Sequence, residues 1–211
     1  MGTLIKARDR FSDNQIVDLK ASLERGGIVC MVTDTVYGLN CMPESGEALA
    51  RLTHIKGSGA RPFLLLIGEL SWLGQLACEI PSSAQRLIAR YWPGPLTLIL
   101  KASDVVEPGV RGPRGTVAVR QPRSSLCEQL LLAMRRPLVS SSANVEGELP
   151  CTTGEGAARA FLDRVDVVVN SGRAPTKLPS TIVDVTLTPP TVVREGALRV
   201  DGDFLSQLNA R

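Results

Sequence analysis

Aromatic side chains are scarce in this chain of 211 residues: two Trp, two Tyr and four Phe make up 4% of it. The hydrophobic fraction of 44% is still enough to bury the core of one α/β domain, so that core must be aliphatic. Few aromatics also leave little on which to stack nucleic-acid bases. Histidine occurs once, so Ser-His-Asp chemistry would have to run through His54, which reads as a structural or surface residue on a helix just before Lys56. A Ser-Lys nucleophile pair using Lys56 has only residue types in its favour. The five cysteines (Cys30, Cys41, Cys78, Cys127, Cys151) are odd in number and form no CxxC pair. Neither a disulfide framework nor a zinc site follows, and most of them read as small apolar residues in a reducing compartment. No apolar run reaches the length of a membrane span, and the N-terminal stretch MGTLIKARDRFSDNQ has no signal core and is too acidic for a transit peptide. The expectation is a soluble, cytoplasmic protein with no membrane contact. A net charge of +3 permits an anionic ligand without demanding nucleic acid. Walker-type GxxxxGK[ST], a GxGxxG after a strand and a GxSxG elbow are all missing.

What is present alternates. Capping-box patterns announce helices at Ser12 with Gln15, Ser82 with Gln85, Ser125 with Glu128 and Thr152 with Glu155; Gly26 and Gly27 stop the first. A further helix is predicted from 46 to 55, with Leu49, Leu52 and Ile55 on one face. β-type runs lie at 28–32, 63–67, 96–100, 116–120, 138–141, 165–169, 181–185 and 191–194. This order predicts one α/β domain over 1–211, with its core at about 13–198 and a mixed, twisted sheet flanked by helices. The stretch EPGVRGPRG (107–115) reads as a loop.

Four polar constellations punctuate the apolar runs. Thr33, Asp34 and Thr35 stand at the exit of the first predicted strand, where α/β folds place ligands; an ordinary Asx or Thr turn explains them equally well. Lys56-Gly57-Ser58-Gly59-Ala60-Arg61-Pro62 combines two cations with two glycines, as a phosphate-binding loop would, or as a solvated loop would. Ser140, Ser141 and Ser142 end an apolar strand and need partners. Thr116 and Arg120, Ser180 and Thr181, and Arg194 sit on β-type runs. An arginine ending TVAVR is costly to bury unless it meets an anion, either a ligand or an acid such as Asp184.

Six segments occur in a set order: VTDTVYGL (32–39), WPGPLT (92–97), TVAVR (116–120), SAN (142–144), STIVD (180–184) and VREG (193–196). In this the sequence resembles the YrdC family, the threonylcarbamoyl-adenylate synthases, over about 13–198, in its short single-domain form. The resemblance implies a YrdC-like fold with a basic concave cleft. It implies condensation of L-threonine, bicarbonate or carbon dioxide and ATP into threonylcarbamoyl-AMP and pyrophosphate. A transferase complex then passes the threonylcarbamoyl group to tRNA. Thr33, Arg120, Ser140 and Ser180 are implied threonine contacts. Lys56, Ser58, Thr116, Ser142, Asn144 and Arg194 are implied nucleotide contacts, with Lys56 and Arg61 as the catalytic cations. ATP enters as a substrate, Mg²⁺ with it, and no metal is expected on the protein itself.

The chain departs from the family pattern in three places. Val32 replaces the usual proline, the arginine of the lysine loop comes only at Arg61, and Glu146 replaces a serine after SAN. The rival expectations are an RNA- or nucleotide-binding paralogue that lost threonine activity, and a carbamoyl-transfer module of the hydrogenase-maturation kind.

Overall fold

A computed structural model describes residues 2–57, 63–145 and 147–207. Its strands are β1 (Thr3–Lys6), β2 (Val29–Val32), β3 (Tyr37–Cys41), β4 (Leu64–Leu66), β5 (Leu96–Lys101), β6 (Thr116–Arg120), β7 (Leu138–Ser142), β8 (Val167–Asn170), β9 (Thr181–Asp184) and β10 (Thr191–Arg194). Its helices are α1 (Asp13–Glu24), α2 (Gly46–Lys56), the short α3 (Leu73–Leu76), α4 (Ser82–Tyr91), α5 (Ser125–Met134), α6 (Gly154–Phe161) and α7 (Gly202–Gln207). The strands form one ten-stranded sheet in the order β1-β8-β2-β3-β7-β4-β6-β5-β9-β10. It is mixed, as the sequence predicts: β8 runs parallel to β1 and β2, β4 to β6, and β5 to β9, while the other neighbours are antiparallel.

Helix α1 opens with the predicted reciprocal cap. Ser12 Oγ accepts from the Gln15 amide at 3.3 Å, and Gln15 Oε1 accepts from the Ser12 amide at 3.0 Å. The other predicted boxes do not form. Pro81 precedes α4 without a side-chain cap, and Gln85 donates to the Ile80 carbonyl. Ser124, not Ser125, caps α5, and Ser125 donates to the Asp9 carbonyl. Thr153, not Thr152, caps α6, and Glu155 accepts from Asn170 instead of reaching back. In each case the next-door residue had the φ/ψ that an N-cap requires.

The core is aliphatic, with Leu19, Leu39, Leu52, Leu65, Leu96 and Val119 fully or almost fully buried; Tyr37 and Phe161 are its largest fully buried side chains. No helix among the described residues is long and apolar enough to cross a membrane.

Three cysteines belong to this core. Burial holds the Cys30 thiol far above its ordinary range and pushes Cys41 and Cys127 up to about 12. At pH 8 a disulfide-exchange reagent is therefore expected to label exposed Cys78 quickly and to leave Cys30, Cys41 and Cys127 unmodified until denaturant is added. The folded thiol pKa lies above the unfolded one, so the contribution is fully present below about pH 9 and lost as pH rises toward 12. A melting temperature that held constant up to pH 11 would contradict it.

Candidate active site

The β2–β3 hairpin supplies the floor of a deep cleft. Its turn is closed by Thr33 N donating to the Val36 carbonyl at 3.2 Å. Thr33 Oγ1 donates to the same carbonyl at 3.0 Å, lies 2.9 Å from Thr35 Oγ1 and accepts from the Thr35 amide at 3.1 Å. Thr33 and Thr35 thus face the cleft on a locked turn, while Asp34 between them reaches away to Arg120. Their ion pair measures 3.0 Å and is almost wholly buried, with side-chain exposures of 7% and 4%. Arg120 also donates to Thr35 Oγ1 at 3.4 Å. The predicted alternative partner, Asp184, is instead taken by Arg114 at 3.1 Å and by the Thr186 amide and hydroxyl. Register explains this: Asp184 pairs with Ile99 and Thr191, at the far end of β9 from the cleft.

The cleft has a volume of about 510 Å³. It is lined by Thr33, Thr35, Val36, Tyr37 and Gly38 of the hairpin, Lys56 of α2, Ala118 and Arg120 of β6, Ser140, Ser141 and Ser142 of β7, Asn144, Ser180, Ile182 of β9 and Arg194 of β10, with Phe63, Leu64, Gly147 and Pro179 completing it. Strand register puts Gly38 opposite Ser142, and a Cβ on Gly38 would stand 3.1 Å from Ser140 Oγ. The glycine keeps the serine face open.

Two cations are held at the wall. Lys56 is the last residue of α2, and Gly57 turns the chain out at φ +97, a region that favours glycine. The Lys56 ammonium donates to the Ser142 carbonyl at 2.8 Å, the Asn144 carbonyl at 2.8 Å and Asn144 Oδ1 at 2.7 Å. Ser142 Oγ donates to Asn144 Oδ1 at 2.6 Å, so the SAN turn and the lysine form one unit. Arg194 donates from Nε and Nη2 to the Ser180 carbonyl at 3.1 and 2.8 Å. Ser180 Oγ lies 2.8 Å from Thr97 Oγ1, and both residues are buried.

The structure thus brings together Thr33, Lys56, Arg120, Ser140, Ser142, Asn144, Ser180 and Arg194 from the expected set. Thr116 stands outside the lining: its hydroxyl donates to the Pro113 carbonyl at 3.0 Å, and it starts the strand whose other end carries Arg120. Ser58, Arg61 and Glu146 lie outside the described residues. Sequence reasoning missed Thr97, although it closes the WPGPLT segment, and it missed Tyr37 as a wall residue. The Tyr37 hydroxyl donates to the Gly172 carbonyl at 2.9 Å and accepts from the Ser171 amide at 3.0 Å.

Among the described residues, the lining has no histidine, cysteine or carboxylate. It offers hydroxyls, amides and cations, which suit substrates bearing carboxylate and phosphate and chemistry done by alignment and charge. The chain belongs to the Sua5/YciO/YrdC family: the model of that family, described as "telomere recombination", matches residues 21–196. Among its relatives, the threonylcarbamoyl-AMP synthase of Thiobacillus denitrificans is 39% identical over 173 residues, 79% of this chain and 89% of that protein. The threonylcarbamoyl-AMP synthase of Pyrococcus abyssi is 33% identical over 95% of this chain, which spans only 59% of that longer relative. The crystal structure of P. abyssi Sua5 complexed with L-threonine superposes with a TM-score of 0.90 at 32% identity, covering 98% of this chain and 61% of that one.

Proposed function

We propose that the chain is an L-threonylcarbamoyladenylate synthase. The observation that carries this is the buried Arg120, fixed at the floor of a hydroxyl-lined cleft that has Lys56 and Arg194 in its wall. Arg120 supplies a directional site for the threonine carboxylate, with Thr33, Ser140 and Ser180 around it. Lys56, Arg194, Ser142 and Asn144 supply the nucleotide side; for Ser58 and Arg61, outside the described residues, a part in it rests on the family pattern. For Thr116 the nucleotide role rests on the family pattern alone.

Threonine and bicarbonate give the carbamate, with loss of water and a proton. A carbamate oxygen attacks the α-phosphorus of ATP, the bond to the β-phosphate oxygen breaks, and pyrophosphate leaves. Binding both substrates in one cleft aligns that oxygen with the phosphorus, and the fixed cations offset the charge that grows on the departing phosphates. No group of three or more His, Cys, Asp or Glu among the described residues could hold a metal. Mg²⁺ would enter with the nucleotide, bound to the phosphates of ATP. The product would serve N6-threonylcarbamoyladenosine formation in tRNA, handed to a transferase complex in the cytoplasm.

Pyrophosphate release from ATP tests the reading. Release is expected only when L-threonine and bicarbonate are both present. Release indifferent to threonine would overturn it, and steeply salt-dependent tRNA binding without turnover would favour the RNA-binding paralogue.

A further inference from the structure

Asp34 stands between two cleft-lining threonines but does not itself line the cleft. Its side chain is 7% exposed and is absent from the lining, although both its neighbours face the cavity. Asp34 Oδ1 accepts from Arg120 Nη2 at 3.0 Å across 86 residues of chain, tying the hairpin turn to the end of β6. The backbone at that end is fixed too, since the Arg120 carbonyl accepts from the Ile67 amide at 3.0 Å. From α5, the buried Cys127 thiol points to the Val32 carbonyl, next to the turn, at 3.5 Å. Arg120 Nε and Asp34 Oδ2 are buried without a hydrogen-bond partner. A guanidinium is a planar fork, so a bond at one corner sets the direction of the others.

We propose that Asp34 is a positioning residue for the threonine carboxylate: it holds one corner of the Arg120 guanidinium so that the remaining edge meets the substrate. This rests on the functional reading above. It assigns to the aspartate of VTDTVYGL a role distinct from that of the flanking threonines. Those act from the cavity surface, whereas Asp34 acts only through Arg120.

Calorimetric titration with L-threonine and, separately, with ATP tests the proposal on wild type, Asp34→Ala and Asp34→Asn, with steady-state kinetics alongside. Asp34→Ala should weaken threonine binding by about tenfold or more, while ATP affinity stays within about twofold. Its KM for threonine should rise with kcat at saturating threonine largely kept. Asp34→Asn should recover most of the loss, because the amide oxygen can accept the same bond from Nη2. Threonine affinity unchanged in Asp34→Ala would overturn the proposal. So would an Asn variant as impaired as Ala, or equal weakening of both ligands, which a collapsed hairpin would give. A wild-type protein that binds ATP but no threonine would overturn the functional reading itself, whereas wild-type binding matched by Asp34→Ala would sink the positioning role alone.

Discussion

Arg120→Ala is expected to lower kcat/KM for L-threonine by about 100-fold or more, the scale of losing a charge-assisted bidentate contact of roughly 3 kcal/mol. The same substitution should destabilise the fold by about 3–5 kcal/mol, because it leaves Asp34 charged and buried without its partner. The two effects separate in one protein: chemical denaturation reads the second, and threonine titration at temperatures where the variant is folded reads the first. Arg120→Lys should keep part of the stability but little of the affinity, since an ammonium cannot present two parallel donors to a carboxylate. Thr33→Ala, which removes one neutral hydroxyl, should cost only about tenfold in threonine affinity. If Arg120→Ala and Thr33→Ala both left that affinity intact, the carboxylate would have to sit elsewhere in the cleft.

Lys56→Ala is expected to be as damaging on the nucleotide side. The ammonium gathers two carbonyls and the Asn144 side chain onto one point, so its loss frees the SAN turn and, on the proposed reading, takes a cation from the phosphates. The expected result is a loss of about 10²–10³ in kcat/KM for ATP, with threonine affinity changed by less than about twofold. Lys56→Arg should not rescue it. The acceptors converge on a single atom, which suits a tetrahedral ammonium and not a planar fork. An arginine variant with near wild-type turnover would mean that only charge matters at this position.

Residue pattern made much of the sheet readable. Runs such as TVAVR and LTLILK combine aliphatic or β-branched residues with nearby turn signals, and β6 occupies its expected bounds. β3 was not foreseen, because YGLNC has no β-branched residue and no alternation. It is a strand because the Thr33–Val36 turn folds it back on β2, and β7 covers its other edge. β1 escaped for a different reason: TLIK is mostly exposed and owes its conformation to pairing with β8, a partner far along the chain. In the site, the arginine at a strand end was recognisable as a buried cation in need of an anion. Its partner was not, since Asp34 and Asp184 are equivalent in a sequence and only strand order decides between them. Thr97 was invisible for the same reason: its meaning comes from Ser180, which reaches it because β5 and β9 lie side by side.

The cleft draws its walls from β2–β3, α2, β6, β7, β9 and β10, so its residues run from Thr33 to Arg194. Neither half of the chain contains more than a part of it. During synthesis the nascent protein would have no binding site until β10 had left the ribosome and docked against β9. From then on, substrate would contact the first and last parts of the cleft together. Ligand occupancy would act as a report on completed folding, and a substrate-loaded molecule would resist unfolding from either end of the sheet.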